Sequence, residues 1–132
     1  MTDPKINSIL DEGNRLFLQG KFQQAIAYYD KILEEDPKNI SSLNNKGYAL
    51  SKLKDFTNAM KCYDVALEMC PDDLSVLINK ISSFRKQGNL IEALSICDDI
   101  LKNNPNYNIA LYHKERILFS MHKFDESISC CN

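Results

Sequence analysis

The chain has 132 residues, enough for one compact domain or a short array of helical repeats. Its formal net charge of −2 and pI of about 5.7 provide no basic field for nucleic acid, and it has no apolar run of membrane-spanning length. Five cysteines, an odd number, argue against a disulfide framework and favour a reducing, cytoplasmic location.

A pair of amphipathic helices is predicted at the start of the chain. In 6–18, apolar residues recur at spacings that place them on one broad helical face. Gly20 interrupts this pattern, and a second apolar stripe with i, i+3, i+4, i+7 spacing begins at Phe22. Pro37 ends the second helix, because the proline ring disfavours helical geometry in the residue before it.

The same helix–turn–helix cycle recurs along the chain. Its second helices are followed by prolines spaced 34 residues apart, at Pro37, Pro71 and Pro105. Other residues recur in step, with Ala25, Ala59 and Ala93 in one register and Phe22, Phe56, Leu90 and Phe124 in another. A fixed period of this length indicates stacked helical hairpins, because one hairpin cannot bury its own apolar face.

These registers resemble the tetratricopeptide repeat (TPR), a helix–turn–helix unit of 34 residues. With the proline at position 32, the predicted repeats are 6–39, 40–73, 74–107 and a truncated fourth over 108–132. The resemblance implies an all-α, right-handed α-solenoid of antiparallel helix pairs. We expect a single TPR domain over 1–132, with seven full helices and a partial eighth.

Two repeat positions carry all four glycines. At position 8, Gly13 and Gly47 allow two helices to approach closely, whereas at position 15, Gly20 and Gly88 permit a left-handed turn. Position 8 becomes Ile81 and Glu115 in the later repeats, so we expect looser or shifted packing there.

The resemblance implies a concave groove lined by first-helix positions 2, 5, 6, 9, 12 and 13. The candidate peptide-binding residues are Leu10, Asp11, Asn14, Asn44, Asn45, Tyr48, Ile78, Asn79, Ser82, Arg85, Tyr112, His113 and Arg116. Amides both donate and accept, so they can pair with the backbone of an extended peptide of any sequence. Asn45 and Asn79 resemble the asparagine ladder of some peptide-binding relatives; the alternative is that these amides are merely solvated. Leu10, Phe17, Tyr48, Ile78 and Tyr112 are candidates for side-chain pockets.

A carboxylate clamp, which chaperone adaptors of this family use to hold a C-terminal peptide, is not predicted. Asn14 and Asn45 match its pattern, but its three cationic positions hold Leu10, Ser75 and Asn79. Without these cations, the terminal carboxylate has no charged partner.

Arg85 and Arg116 lie on adjacent first helices and form a possible cationic fork for a carboxylate or phosphate. The alternatives are two solvated arginines, or an intramolecular pair with Glu115 or Asp125.

We therefore predict a non-enzymatic interaction module that binds a protein or peptide segment in its groove. Neither a catalytic pair nor a cofactor motif is present, and the Cys130-Cys131 pair with His113 and His122 lacks the spacing of a metal site. Cys97 and Cys131 occupy position 24, which is aromatic in other repeats, so we interpret them as core residues. Nucleic acid and membranes are not expected partners.

The rival prediction is a structural or self-association module, or a fragment of a longer TPR scaffold protein. An apolar patch is predicted near the C-terminal end, made by Leu111, Leu118, Phe119, Phe124, Ile128 and Cys131. Such a patch predicts a homodimer through this end. The alternative is that the final short helix frays.

Overall fold

The computed structural model describes residues 3–130, apart from the side chains at 124 and 126–130. This range folds into seven α-helices without a strand. They are α1 (Pro4–Leu18), α2 (Phe22–Glu35), α3 (Ile40–Lys52), α4 (Phe56–Met69), α5 (Leu74–Gln87), α6 (Leu90–Asn103) and α7 (Asn108–Cys130). None of the described helices combines the length and the apolar character needed to cross a membrane.

The helices begin where the repeat pattern predicts. The first helices of repeats two, three and four start at Ile40, Leu74 and Asn108, the first residue of each predicted repeat. Side-chain caps explain several of these starts: Asn39 Oδ1 accepts from the Ser42 amide at 2.9 Å, and Asp73 Oδ1 accepts from the Val76 amide at 3.2 Å. Each cap satisfies a backbone N–H that has no partner inside its helix.

The turns within the three complete repeats share one backbone conformation at position 15. Gly20 has φ of 77°, Gly88 has φ of 83°, and the non-glycine residue Lys54 has φ of 66°. The predicted left-handed turn at the glycines is therefore confirmed, and Lys54 adopts the same conformation with a side chain present.

The fourth repeat departs from the prediction, because α7 is one continuous helix from Asn108 to Cys130. No turn interrupts the described residues of this helix, so the prediction of a separate partial eighth helix is wrong. His122 stands where the three complete repeats have a left-handed residue, and it continues the helix instead. Of the residues assigned to the eighth helix, Cys131 and the side chains of Phe124 and Ile128 lie outside the described part.

The chain divides within α5 into two compact units, Met1–Asn79 and Lys80–Asn132. In the first unit, α1 packs against α2 and α3, and α3 packs against α2 and α4. Its core includes the repeated alanines and tyrosines, all fully buried, namely Ala25, Tyr29, Ala59 and Tyr63. The prediction of one domain over 1–132 stays a prediction.

The second unit is built by the end of α5, by α6 and by α7, and α6 packs against α7. Ile81, Cys97 and Ile117 are fully buried, which confirms Cys97 as a core residue. Leu111, a member of the predicted apolar patch, is 42% exposed, whereas its neighbour Ala110 is buried. Ala110 stands at the same repeat position as Ser42 and Val76, which are also fully buried, so the packed face of α7 keeps the register of the earlier first helices.

Candidate functional site

A buried tyrosine and two asparagines join three helices of the first unit. The Tyr29 hydroxyl on α2 donates to Asn14 Oδ1 on α1 at 2.7 Å. Asn45 Nδ2 on α3 donates to the same oxygen at 3.0 Å. Burial raises the pKa of Tyr29 to about 12, so its hydroxyl keeps its proton and remains a donor. Asn14 is therefore held with its carbonyl oxygen turned inward.

A second asparagine pair lies on the other side of α3. Asn79 Nδ2 on α5 donates to Asn44 Oδ1 at 2.8 Å. Because Asn44 and Asn45 are adjacent in sequence, α3 supplies one amide to each pair. All four asparagines are half-buried, between the core and the surface.

The structure thus brings four of the predicted site residues together in two pairs. Asn45 and Asn79 each donate to an asparagine on a neighbouring first helix, and their action as a ladder for a peptide stays a prediction. In each pair the accepting asparagine retains its NH2 group, and the donating asparagine retains its carbonyl oxygen. Each pair therefore presents one donor and one acceptor side by side.

The apolar and aromatic candidates of the first helices lie in the same unit as these amides. The Phe17 and Tyr48 rings have centroids 5.2 Å apart at an interplanar angle of 31°, and Lys52 Nζ lies 5.2 Å from the Tyr48 centroid. Leu10 packs against the core cluster around Tyr29. Asp11 is exposed and Ile78 is half-buried.

In the second unit, Arg85 and His113 are in direct contact. Arg85 Nη1 lies 2.9 Å from His113 Nδ1. A guanidinium group can only donate, so Nδ1 accepts and the neutral imidazole carries its proton on Nε2. Burial lowers the pKa of His113, and the charges of Arg85 and Arg116 lower it further. Ser82, the other candidate on this part of α5, is half-buried.

Arg116 is held by an aromatic ring on its own helix. Its guanidinium carbon lies 5.5 Å from the Tyr112 centroid, and the Tyr112 and His113 rings meet edge to face at 5.6 Å. Among the described residues, the two arginines contact His113 and Tyr112 instead of the carboxylates Glu115 and Asp125 that the sequence offered as alternatives. An open depression of about 340 Å³ lies beside this cluster, lined by Tyr112, Glu115, Arg116, Phe119 and Ser120.

Tyr29 is the member of the site that sequence reasoning missed. Its repeat position predicts a core residue, and it is fully buried. A signal was available, because a tyrosine buried in a core normally finds a hydrogen-bond partner for its hydroxyl. The polar residues of the facing first helix were the available partners.

Comparison with solved structures shows a common fold. The first TPR domain of Spaghetti (RPAP3), bound to the HSP90 peptide SRMEEVD, is 24% identical with a TM-score of 0.81, over 92% of this chain and 97% of that one. The second TPR domain of human RPAP3, in complex with the HSP70 peptide SGPTIEEVD, is 24% identical with a TM-score of 0.74, over 83% of this chain and 92% of that one. The Sgt2 TPR domain from Aspergillus fumigatus is 16% identical with a TM-score of 0.83, over 94% and 83% of the two chains. These likenesses confirm the predicted all-α helical-repeat solenoid.

Sequence comparison supplies the family. No curated protein matches the chain. Residues 6–128 match the family model described as the Tetratricopeptide repeat protein 21 N-terminal ARM repeat. Since this match spans nearly the whole sequence, the chain belongs to the Tetratricopeptide repeat protein 21 N-terminal ARM repeat family, and its repeats are of the tetratricopeptide type.

Proposed function

We propose that this chain is a non-enzymatic protein-interaction module that binds an extended peptide segment along the first helices of its first unit. The observation that carries this proposal is the pair of interhelical amide contacts, Asn14–Asn45 and Asn44–Asn79. Peptide complexes of two RPAP3 domains with the same fold support the class of function.

The amide pairs match the hydrogen-bonding pattern of a peptide backbone. Each residue of an extended peptide offers one N–H and one C=O, and each asparagine pair offers one carbonyl oxygen and one NH2 group. Recognition through the main chain gives affinity that does not depend on the ligand sequence. The neighbouring Phe17 and Tyr48 rings then supply apolar contacts for ligand side chains.

The amides are oriented before a ligand arrives. Asn14 is fixed by two donors, one of which is the fully buried Tyr29. A side chain that is already held loses less rotamer freedom on binding than a solvated one. This favours a binding role for the asparagines over the alternative that they are merely solvated.

The proposed ligand of this surface is an internal segment rather than a peptide terminus. The positions that carry the cations of the carboxylate clamp hold Leu10, Ser75 and Asn79, and Asn79 donates to Asn44. None of these side chains can neutralise a terminal carboxylate. A segment recognised through its backbone amides fits the available groups.

A peptide array followed by calorimetry tests the proposal. Peptides selected on the array are titrated into the parent chain and into Asn45→Ala/Asn79→Ala. Each neutral hydrogen bond contributes about 0.5–1.5 kcal/mol, so the double variant should bind about 1–3 kcal/mol more weakly. Asn7→Ala/Asn103→Ala, which removes two exposed helical asparagines, is the matched control. Equal affinity of the parent and the double variant, with helical content retained, would show that the amides do not bind the ligand; an array without hits would reject peptide binding.

Self-association is a second candidate function, favoured by exposed apolar residues on α7. Leu118 and Phe119 are 46% and 60% exposed, and Leu111, which lies two helical turns before Leu118 on the same face, is 42% exposed. Contiguous apolar surface of this kind marks association sites, and a patch that meets itself closes a two-fold dimer. Light scattering over a concentration series tests this: Leu118→Asp/Phe119→Asp should abolish a dimer, whereas Leu18→Asp, at a position 85% exposed in the first unit, should not. A monomeric mass for the parent at every concentration would rule the dimer out.

We also propose a reducing, cytoplasmic location. Cys62, Cys70 and Cys97 carry free thiols, which is the usual state of cysteines in that compartment.

A further inference from the structure

We propose that the second unit contains a separate binding site for an anionic group, a carboxylate or a phosphoryl group, where Arg85, His113 and Arg116 converge. That a peptide carries this group rests on the proposed function. The anion site itself does not, since it uses none of the asparagine pairs.

Arg85 is half-buried, and its hydrogen-bond partner His113 is an unusual one for an arginine in such surroundings. A guanidinium group in such surroundings is normally paired with a carboxylate, which neutralises its charge. Here its partner at 2.9 Å is the neutral Nδ1 of His113, whose side chain is 9% exposed. The hydrogen bond is satisfied, but no carboxylate among the described side chains is paired with Arg85 to balance its charge.

A second cation lies beside the same imidazole. Arg116 is held against the Tyr112 ring, and Tyr112 in turn meets the His113 ring. Burial, Arg85 and Arg116 all lower the pKa of His113, and no carboxylate of the described residues acts on it in the opposite direction. Two positive groups therefore converge on one imidazole, and an anion would relieve their repulsion.

The other charges of the unit do not fill this role. On α6, Asp98 is engaged by Lys114 of α7 at 2.7 Å. Glu115 lines the depression beside Arg116, but it is exposed and remains solvated. The remaining charged groups of the described part of this unit are exposed or half-buried at Lys80, Lys86, Glu92, Asp99, Lys102, His122, Lys123 and Asp125.

The site is accessible and has the right donors. Arg116 is exposed and lines the depression of about 340 Å³, and Arg85 is half-buried. Two guanidinium forks offer several N–H donors in fixed planes, which suits the oxygens of a carboxylate or a phosphoryl group. The Tyr112 ring restricts Arg116 in advance, so less side-chain freedom is lost on binding.

Proton binding and anion binding at this site are linked. An anion between the arginines offsets their effect on His113 and so raises the pKa of the imidazole. By reciprocity, a protonated His113 strengthens anion binding. The affinity for an anion should therefore increase as the pH falls through the range in which His113 takes up its proton.

Nuclear magnetic resonance on the two histidine rings of the intact chain tests the proposal. The probes are inorganic phosphate and acetate, added at constant ionic strength over a range of pH, and His122 serves as the internal reference. We expect a saturable shift of the His113 ring signals and a rise in the pH midpoint of His113. A response to acetate alone would identify a carboxylate site, and a response to phosphate alone a phosphoryl site.

Variants decide whether the named residues bind the anion. Arg116→Gln, which leaves the contact between Arg85 and His113 in place, should weaken binding about tenfold, as expected for one lost hydrogen bond to a charged group. Lys102→Gln removes the same charge from α6 and should have little effect, while Glu115→Gln should tighten binding. The proposal is overturned if His113 responds to neither anion more than His122 does, or if Lys102→Gln and Arg116→Gln weaken binding equally. Neither result bears on the asparagine pairs, which the peptide titration tests separately.

Discussion

Gly47 lies against the Tyr63 ring so closely that a Cβ atom at Gly47 would be 2.5 Å from Cε1 of the tyrosine. Gly13 has the same relationship to Tyr29 one repeat earlier, at 2.8 Å. Both tyrosines are fully buried, so neither ring can move aside without repacking the core. This contact explains why repeat positions 8 and 24 hold a glycine and a tyrosine together. In the third repeat the large residue stands at position 8 and the small one at position 24. These residues are Ile81 and Cys97, and both are fully buried.

Gly47→Ala should therefore destabilise the chain. Overpacking costs about 1–3 kcal/mol, which exceeds the gain of up to about 1 kcal/mol from the better helix propensity of alanine. Urea unfolding measures the difference. In a double-mutant cycle with Tyr63→Leu, the two changes should be favourably coupled, because the smaller side chain gives the new methyl group space. A more stable Gly47→Ala variant would mean that helix propensity outweighs the contact.

Ala59→Leu should also lower the free energy of unfolding. Ala59 is fully buried in the core cluster of the first unit, so the larger side chain should cost about 1–3 kcal/mol by overpacking. Ala27→Leu is the matched control, because Ala27 lies on the exposed face of α2. An unchanged urea midpoint for Ala59→Leu would contradict the assignment of this register to the core.

Lys54→Gly should stabilise the chain. Lys54 has φ of 66°, a conformation that costs a residue with a Cβ atom roughly 1–2 kcal/mol and costs glycine little. Part of this gain is offset by the greater freedom of glycine in the unfolded chain, so we expect a net gain of about 0.5–1 kcal/mol in thermal or urea unfolding. Lys61→Gly, inside the exposed face of α4, should instead destabilise by about 1 kcal/mol. Loss of stability in both variants would argue against strain at Lys54.

Tyr29→Phe should lower stability by removing the donor to Asn14. The lost neutral hydrogen bond should cost about 0.5–1.5 kcal/mol. The cost should shrink when Asn14→Ala is already present, because the partner of the hydroxyl is then gone. Urea unfolding of the four chains of this cycle measures the coupling. Strictly additive effects would show that the contact makes no contribution in solution.

Stability should depend on pH through His113. The pKa of this imidazole lies below its ordinary value of 6.5, so the unfolded chain binds more protons than the folded chain once the pH falls. Neutral His113 therefore contributes fully to the free energy of unfolding above about pH 6.5. This contribution is lost as the pH falls from there through the lower pKa of the folded state. His113→Asn, which keeps an acceptor for Arg85, should flatten the profile measured by urea unfolding between neutral and mildly acidic pH. His122→Asn controls for the loss of an imidazole in general, and identical profiles for the parent and His113→Asn would refute the prediction.

The candidate site was only partly predictable. The sequence placed Asn14, Asn44, Asn45 and Asn79 at first-helix positions of the expected groove, but not their pairing. Which asparagines form hydrogen bonds depends on the register in which neighbouring helices pack. If one helix slid along its neighbour by about one residue, each asparagine would have a different partner. The same reason explains Arg85: its contact with His113, rather than with a carboxylate, depends on the packing of α5 and α7 in the second unit.

The features that arise within one repeat follow from the amino-acid sequence alone. Helix starts, side-chain caps, left-handed turns and the buried alanine register follow from local spacing and local backbone preference, and these recur every 34 residues. Three further features are seen in the folded chain: the asparagine pairs, the neutral imidazole that accepts from Arg85, and the continuation of α7 through His122. The first two depend on how neighbouring helices meet, and the third departs from the 34-residue period, which places a turn at this point in each complete repeat.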